Sequence, residues 1–315
     1  MIHTITFNPV VDLIYHVPHF QKGTTFRCAD FQMVPAGKGI NVSYALSCLE
    51  ETSATYTILN EACFPLYQHA CSQHGITFLP VTGPVMMRYH ATLLDNGDRT
   101  VTHIQTKGEP VSPLLADRLI DTLINRLNPR DIVVISGSLP LGIDPSIYSV
   151  MIEECKDYQA LVVLDASGEP LAKGVAARPF VVKINQSETE ELVGFPLESL
   201  EAGAQAMMVL QSRHAVPILI LTLGAGGMIA GTPQGIWHVS LPMAEEEVVD
   251  TVGCGDALAA GLAYGLARNK SEADLFRYAI ACASAAARHA GPSHFQKTEL
   301  PPLLERVRIQ RLGSV

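Results

Sequence analysis

Two kinds of hydrophobic pattern alternate along the chain. Short unbroken apolar runs occur as IHTITF near the start, YTIL around residue 57, IVVIS at 132–136, LVVLD at 161–165, VVKI at 181–184 and ILILTL ahead of Gly224. Runs of this length with no polar alternation fit strands covered on both faces, as in a parallel sheet. Between them the spacing turns helical. Ser112-Pro113 offers an N-cap and a first-turn proline before Leu115, Leu119, Leu123 and Leu127, four residues apart. Asp144-Pro145 repeats the signal before Ile147, Val150 and Met151, and Ser187 with Glu190 reads as a capping box whose helix stops at Gly194. Strand and helix in alternation predict an α/β fold with a doubly wound, mostly parallel sheet flanked by helices.

Two stretches break the rhythm. Residues 11–34 and 86–106 alternate like half-exposed strands, and the second carries a hairpin signal at Asp95-Asn96-Gly97-Asp98. Paired, they would form a small β-sheet outside the main one, a discontinuous lid on a single domain spanning residues 1–315. The predicted strands end in polar residues: Ser136, Asp165, Asn185 and Thr222. Ligands of open α/β sheets bind beyond those carboxyl ends, and a small sheet there can close over them.

Composition narrows the partners. Of the 315 residues 48% are hydrophobic and 17% charged, as in a globular chain, and the net charge of −9 disfavours nucleic acid or an anionic membrane. The seven cysteines form no C-x-x-C pair, no run approaches the roughly 18 apolar residues of a membrane span, and the first residues lack a signal-peptide layout. Free thiols and a cytoplasmic location are the expectation. Any bound anion must then meet a few placed cations.

Four segments carry candidate chemistry. In DTVGCGD, Gly253, Cys254 and Gly255 precede a run of small apolar residues that reads as a buried helix. Uncovered amides at a helix start attract anions, and Asp256 could take a proton from a hydroxyl beside them. A plain glycine turn with an N-cap aspartate would give the same letters, and a thiol nucleophile at Cys254 has no histidine nearby in sequence. In AGKGIN, Gly37, Lys38 and Asn41 open another helix and suit a phosphate or a polyol, without the ending of a Walker A loop. Lys183, Asn185 and Glu188 follow a buried strand, and the last two, three apart, can face one Mg2+ or its waters. Thr222, Gly224 and Gly227 follow another strand and could lie along a nucleotide's phosphates.

Together these segments resemble the ribokinase-like (PfkB) carbohydrate kinases, in the branch of 1-phosphofructokinase and tagatose-6-phosphate kinase. Eight segments stand in family order: FNPVVD, AGKGINV, GPVMMRYHATL, SGSLPLG, LDASGEPL, KINQSETEELVG, TLGAGG and DTVGCGD. The resemblance implies phosphoryl transfer from ATP with Mg2+ to a phosphorylated ketohexose. Asp256 would be the base and the Gly253–Gly255 amides the anion hole. Asp12 and Asn41 would hold sugar hydroxyls, while Lys38 and Arg88, with Arg27 assisting, would take the phosphate already on the substrate. Lys183, Asn185, Thr222, Gly224 and Gly227 would line the ATP site, with Asn185 and Glu188 near Mg2+. The family's lid often joins two copies, so a homodimer through it is the expectation. Met87 and His90 stand where the family commonly has threonine and asparagine. Two other readings remain: a kinase for an unphosphorylated sugar or nucleoside, against which Arg88 speaks, and a non-catalytic sensor of sugar phosphate or nucleotide, which would keep the pockets but lose the base, whereas Asp256 is present.

Overall fold

The computed structural model describes residues 1–95, 97–98, 100–291 and 293–313. The strands of the first half are β1 (Ile2–Thr6), β2 (Val10–Val17), β3 (Phe31–Ala36), β4 (Ser53–Leu59), β5 (Thr77–Thr82), β6 (Arg88–Asp95) and β7 (Val101–Gln105). The second half adds β8 (Ile132–Ser136), β9 (Leu161–Asp165), β10 (Val181–Asn185), β11 (Ile218–Thr222), β12 (Met228–Thr232), β13 (Gly235–Ser240) and β14 (Arg308–Gly313). Helices α1 (Lys38–Cys48), α2 (Phe64–Gln73), α3 (Pro113–Ile124), α4 (Ile147–Asp157) and α5 (Gly168–Ala176) connect the earlier strands. They are followed by α6 (Gln186–Val193), α7 (Leu200–His214), α8 (Cys254–Ala267), α9 (Glu272–Ala286) and α10 (Leu300–Arg306).

The main sheet runs β14-β13-β12-β11-β10-β9-β8-β1-β4-β5. From β11 through β5 every pairing is parallel, and β12, β13 and β14 extend the sheet antiparallel. Successive residues of each parallel strand point to opposite faces, and both faces are buried. On β8, Val133 and Ile135 join a core with α3, α4, α5 and α7, whereas Ile132 and Val134 join a second core with α1, α8, α9 and α10. That is why these strands read as unbroken apolar runs, and it makes the sheet doubly wound. Helix α8 is deeply set, with no exposed residue. A Cβ on Gly261 would fall 2.7 Å from the Ala279 Cα, so the small residues of α8 let α9 lie against it. Ala279, Ala281, Cys282, Ala285 and Ala286 of α9 join the same buried core as α8.

The separate sheet has the order β3-β2-β6-β7, joining the two stretches read as a lid. Asp12, Ile14, His16, Thr92, Leu94 and His103 face a hollow of about 1120 Å3, whose far wall includes Val248, Val249 and Asp250. Phe31, Met33, Tyr89 and Ile104 alternate with that inner face and are exposed. In the hairpin, Asp95 accepts the Gly97 amide at 2.8 Å and the His19 amide at 2.9 Å, tying the turn to the segment after β2. Asn96, at the centre of the expected turn, lies outside the described residues.

Local expectations need correction: α4 starts at Ile147 with Ser146, not Asp144, at its N-cap. The capping box of α6 is Asn185 with Glu188, not Ser187 with Glu190, because β10 ends on Asn185 and the helix starts at once. Ser112 stands at the N-cap of α3 without a capping side-chain bond.

Candidate active site

At the switch point of the sheet, chain order runs outward from β1 to either side, and the strand ends leave a crevice. Helix α8 points its N-terminus there. Its N-cap, Gly253, has φ 77°, a left-handed conformation that a residue with a Cβ adopts only with strain. The Cys254 amide bonds the Thr251 carbonyl at 3.3 Å and the Ala257 amide the Gly253 carbonyl at 2.8 Å, so the amides at the turn left without a backbone partner, among the described residues, are those of Gly253, Gly255 and Asp256. The Cys254 thiol is pushed up to about 11 by burial, with Asp250 and Asp256 adding to the effect. It is therefore no ready nucleophile.

Asp256 is 6% exposed and accepts the Asn41 Nδ2 at 2.8 Å. Burial pushes its carboxyl up to about 6. Lys38 pulls it down, Asp165 pushes it up, and Asn41 and Lys183 pull it down. A base poised at that value is mostly ionised at neutral pH and still able to accept a proton.

Asp165, named in the sequence only as a strand end, proves central. It is 1% exposed, and it binds two lysines at once: Lys38 Nζ at 3.0 Å through Oδ1 and Lys183 Nζ at 2.9 Å through Oδ2. Burial would push this carboxyl up, but Lys183 and Lys38 outweigh it and hold it below the usual range. Asp165 in turn holds the Lys38 ammonium above its ordinary value, against the opposing effect of burial. Lys183 rises from β10 on the face that packs against α8, and a Cβ on Gly255 would lie 3.3 Å from its Nζ.

Where the four-stranded sheet meets the main one, Arg88 donates through Nη2 to the Asn8 carbonyl, and Asn8 Nδ2 bonds Ser138 Oγ at 3.2 Å. Among the described residues Arg88 has no carboxylate partner, its Nε is buried without an acceptor, and burial lowers its pKa. Asp12 accepts from Thr92 Oγ1 at 2.9 Å, and Thr92 Oγ1 also meets His103 Nδ1 at 3.2 Å. Four of the seven buried side-chain polar atoms left without a partner among the described residues are Asn41 Oδ1, Arg88 Nε, His90 Nε2 and Ser136 Oγ. All four stand on elements at this crevice, and buried polar atoms are normally paired, so the concentration marks a place for a polar ligand. Arg27 is exposed between β2 and β3 and makes no hydrogen bond or ion pair with these groups.

A second hollow, of about 660 Å3, is lined by Asn185, Gln186, Ser187, Glu190, Thr222, Leu223 and Gly224. Gly227 shapes its neighbouring turn: a Cβ there would lie 2.3 Å from the Val239 carbonyl oxygen. Thr222 Oγ1 reaches the Ile184 carbonyl at 3.4 Å. Asn185 Oδ1 accepts the Glu188 amide at 2.9 Å and Ser187 Oγ at 2.8 Å, while Glu188 Oε2 accepts the Asn185 amide at 2.8 Å. Among the described residues Glu188 Oε1 makes no protein bond, no cluster of three or more histidine, cysteine or acidic side chains could hold a metal, and no helix is long and apolar enough to cross a membrane.

The profile of the pfkB family carbohydrate kinases matches residues 5–299. The 1-phosphofructokinase of Haemophilus influenzae is 31% identical over 309 residues, covering 97% of each chain, and that of Bacillus subtilis is 28% identical, covering 99% of this chain and 100% of its own. Phosphofructokinase-2 of Escherichia coli, solved with potassium, shares the fold with a TM-score of 0.90 at 22% identity, covering 96% of this chain and 98% of that one. Ribokinase of Arabidopsis thaliana, solved with ribose and ATP, does so with a TM-score of 0.76 at 21% identity and the same coverage. On the profile match and the 31% identity, the chain belongs to the pfkB family of carbohydrate kinases, and it is a phosphotransferase that works with ATP and Mg2+.

Proposed function

We propose that the acceptor is a phosphorylated ketohexose, with fructose 1-phosphate first and tagatose 6-phosphate second. The observation that carries this is Arg88, a half-buried guanidinium with no carboxylate and an unmet Nε donor. A planar fork of donors in that condition suits a phosphate, and a neutral sugar would leave it uncompensated. The name of the Haemophilus influenzae relative supports fructose 1-phosphate over the alternative.

The residues present fit both partners of the reaction. The hollow at Asn185, Thr222 and Gly224 offers small residues and strand ends to a nucleotide, and Lys183 stands two residues before Asn185 on β10. Glu188 Oε1 is the open carboxylate oxygen for Mg2+ or its waters, and the capping box holds it in place through Asn185. Mg2+ takes few protein ligands, so one such oxygen suffices. When bound, Mg·ATP supplies the phosphoryl group, whose phosphorus gains the acceptor oxygen as its bond to the departing ADP oxygen breaks. Asp256 removes the acceptor's hydroxyl proton, and Asn41 keeps the carboxylate turned toward the crevice. The Gly253 and Gly255 amides face the negative charge that builds up there. Asp12, fixed by Thr92, holds a sugar hydroxyl. A second copy of the chain is the proposed partner on the exposed outer face of the lid.

Arg88→Ala should raise the KM for the phosphosugar about a hundredfold, as loss of one charged phosphate contact implies, with kcat changed far less. Initial rates on fructose 1-phosphate and on fructose check this. An equal rise in KM on both sugars would place the phosphate contact elsewhere.

A further inference from the structure

The resemblance sends Lys38 and Arg88 to one anion, the phosphate already on the substrate. Their surroundings in the fold differ. Lys38 and Lys183 share the single buried carboxylate of Asp165, at 3.0 and 2.9 Å, so this trio carries one positive charge over. Lys183 is 7% exposed and packed under the turn at Gly255, whereas Lys38 is 42% exposed. An ammonium has three donors, and Asp165 takes one from Lys38. Lys183 likewise gives Asp165 one bond, but it is packed away, so the surplus charge and donors that face the open crevice are those of Lys38. Among the charged groups acting on the Asp256 carboxyl, Lys38 has the largest effect, ahead of Asp165 and Lys183. Arg88 is bound at the root of the lid, to the Asn8 carbonyl.

We infer that Lys38 serves the phosphoryl group in transit, with Asp165 as its positioning residue, and that the phosphate resident on the acceptor is left to Arg88. The inference rests on the phosphosugar-kinase reading above. A contact with resident phosphate is the same in ground state and transition state and shows in KM and Kd. A contact made with the moving group shows in kcat.

The test compares Lys38→Met and Arg88→Ala by initial rates with Mg·ATP, and by calorimetric binding of fructose 1-phosphate without nucleotide. Lys38→Met should lower kcat roughly a hundred- to a thousandfold, the size seen when one transition-state donor is removed. Its KM and Kd for fructose 1-phosphate should stay within about threefold of wild type, since uniform binding is untouched. Lys38→Arg, which keeps the charge, should recover part of kcat. Asp165→Asn should lower kcat with the phosphosugar Kd held, and should move the acid limb of the pH–rate profile to lower pH. It removes a negative neighbour of Asp256 while Lys38 and Lys183 remain, a shift that loss of mere packing would not produce. A tenfold or larger rise in the Kd of Lys38→Met for fructose 1-phosphate would overturn the inference. If wild type turns over only unphosphorylated hexoses, the phosphosugar reading fails, and the same split on that hexose decides Lys38: a fall in kcat alone supports it, a rise in KM overturns it.

Discussion

Asp256→Asn should cut kcat about a hundred- to ten-thousandfold, the usual range for a positioned base, and at the same time make the protein more stable. The second half follows from linkage. The folded carboxyl sits at about 6 against an ordinary value of 3.8, because burial raises it more than Lys38, Asn41 and Lys183 lower it. A raised acid binds more protons folded than unfolded between those two values. Its ionisation therefore opposes folding above pH 6, and stability recovers as pH falls from 6 toward 4. At neutral pH the opposition amounts to about 2–3 kcal/mol at 1.36 kcal/mol per pH unit. An asparagine of the same shape removes most of it. Thermal unfolding of both proteins at pH 4 and pH 8 measures the gap: it should be wide at pH 8 and narrow at pH 4. Wild-type kcat/KM should in turn fall tenfold per unit below about pH 6. A variant less stable than wild type at pH 8 would mean that the carboxylate is not held under strain.

Asp165→Ala should destabilise the fold by about 3–5 kcal/mol, as removing one partner of a buried ion pair generally does. Lys183 is the reason. It is 7% exposed, and without Asp165 its buried ammonium loses the carboxylate it is bonded to, whereas the more exposed Lys38 can turn to water. Adding Lys183→Met to Asp165→Ala should restore part of the loss, because the unpaired charge leaves with the lysine. Denaturant midpoints of the single and double variants report this. Simple addition of the two losses would show that the lysine is not what Asp165 compensates.

The sheet was legible in the sequence where burial is two-sided. IVVIS, LVVLD and VVKI became β8, β9 and β10 because both of their faces meet helices, and the polar residues ending them stand at the crevice. The antiparallel extension was not legible. Strands β12 and β13 are joined by only Pro233 and Gln234, and β14 is largely exposed with the polar sequence RIQRLG, so neither length nor alternation announces them. Val150, expected among the core residues of α4, is 47% exposed while Tyr148, Met151 and Ile152 turn inward. In α6 both Asn185/Glu188 and Ser187/Glu190 satisfy the capping spacing, and only the end of β10 decides between them.

The site divides in the same manner. The turn at Gly253 and the carboxylate of Asp256 could be read locally, because a helix start and the amides it leaves uncovered occupy four consecutive residues. The role of Asp165 could not. Its partners Lys38 and Lys183 lie 127 and 18 residues away, and only the order of β8, β9 and β10 beside α1 brings them to one carboxylate. Arg88 was singled out for its charge, but its lack of a carboxylate among the described residues and its unmet Nε appear only once β6 packs beside Asn8.

The most direct measurement follows Mg·ATP and fructose 1-phosphate by phosphorus-31 resonance with wild type and Asp256→Asn side by side. The account predicts loss of the ATP γ signal matched one for one by a second phosphate ester on the sugar, with wild type only. ATP consumed with inorganic phosphate as the product, or an equal rate in Asp256→Asn, would contradict it.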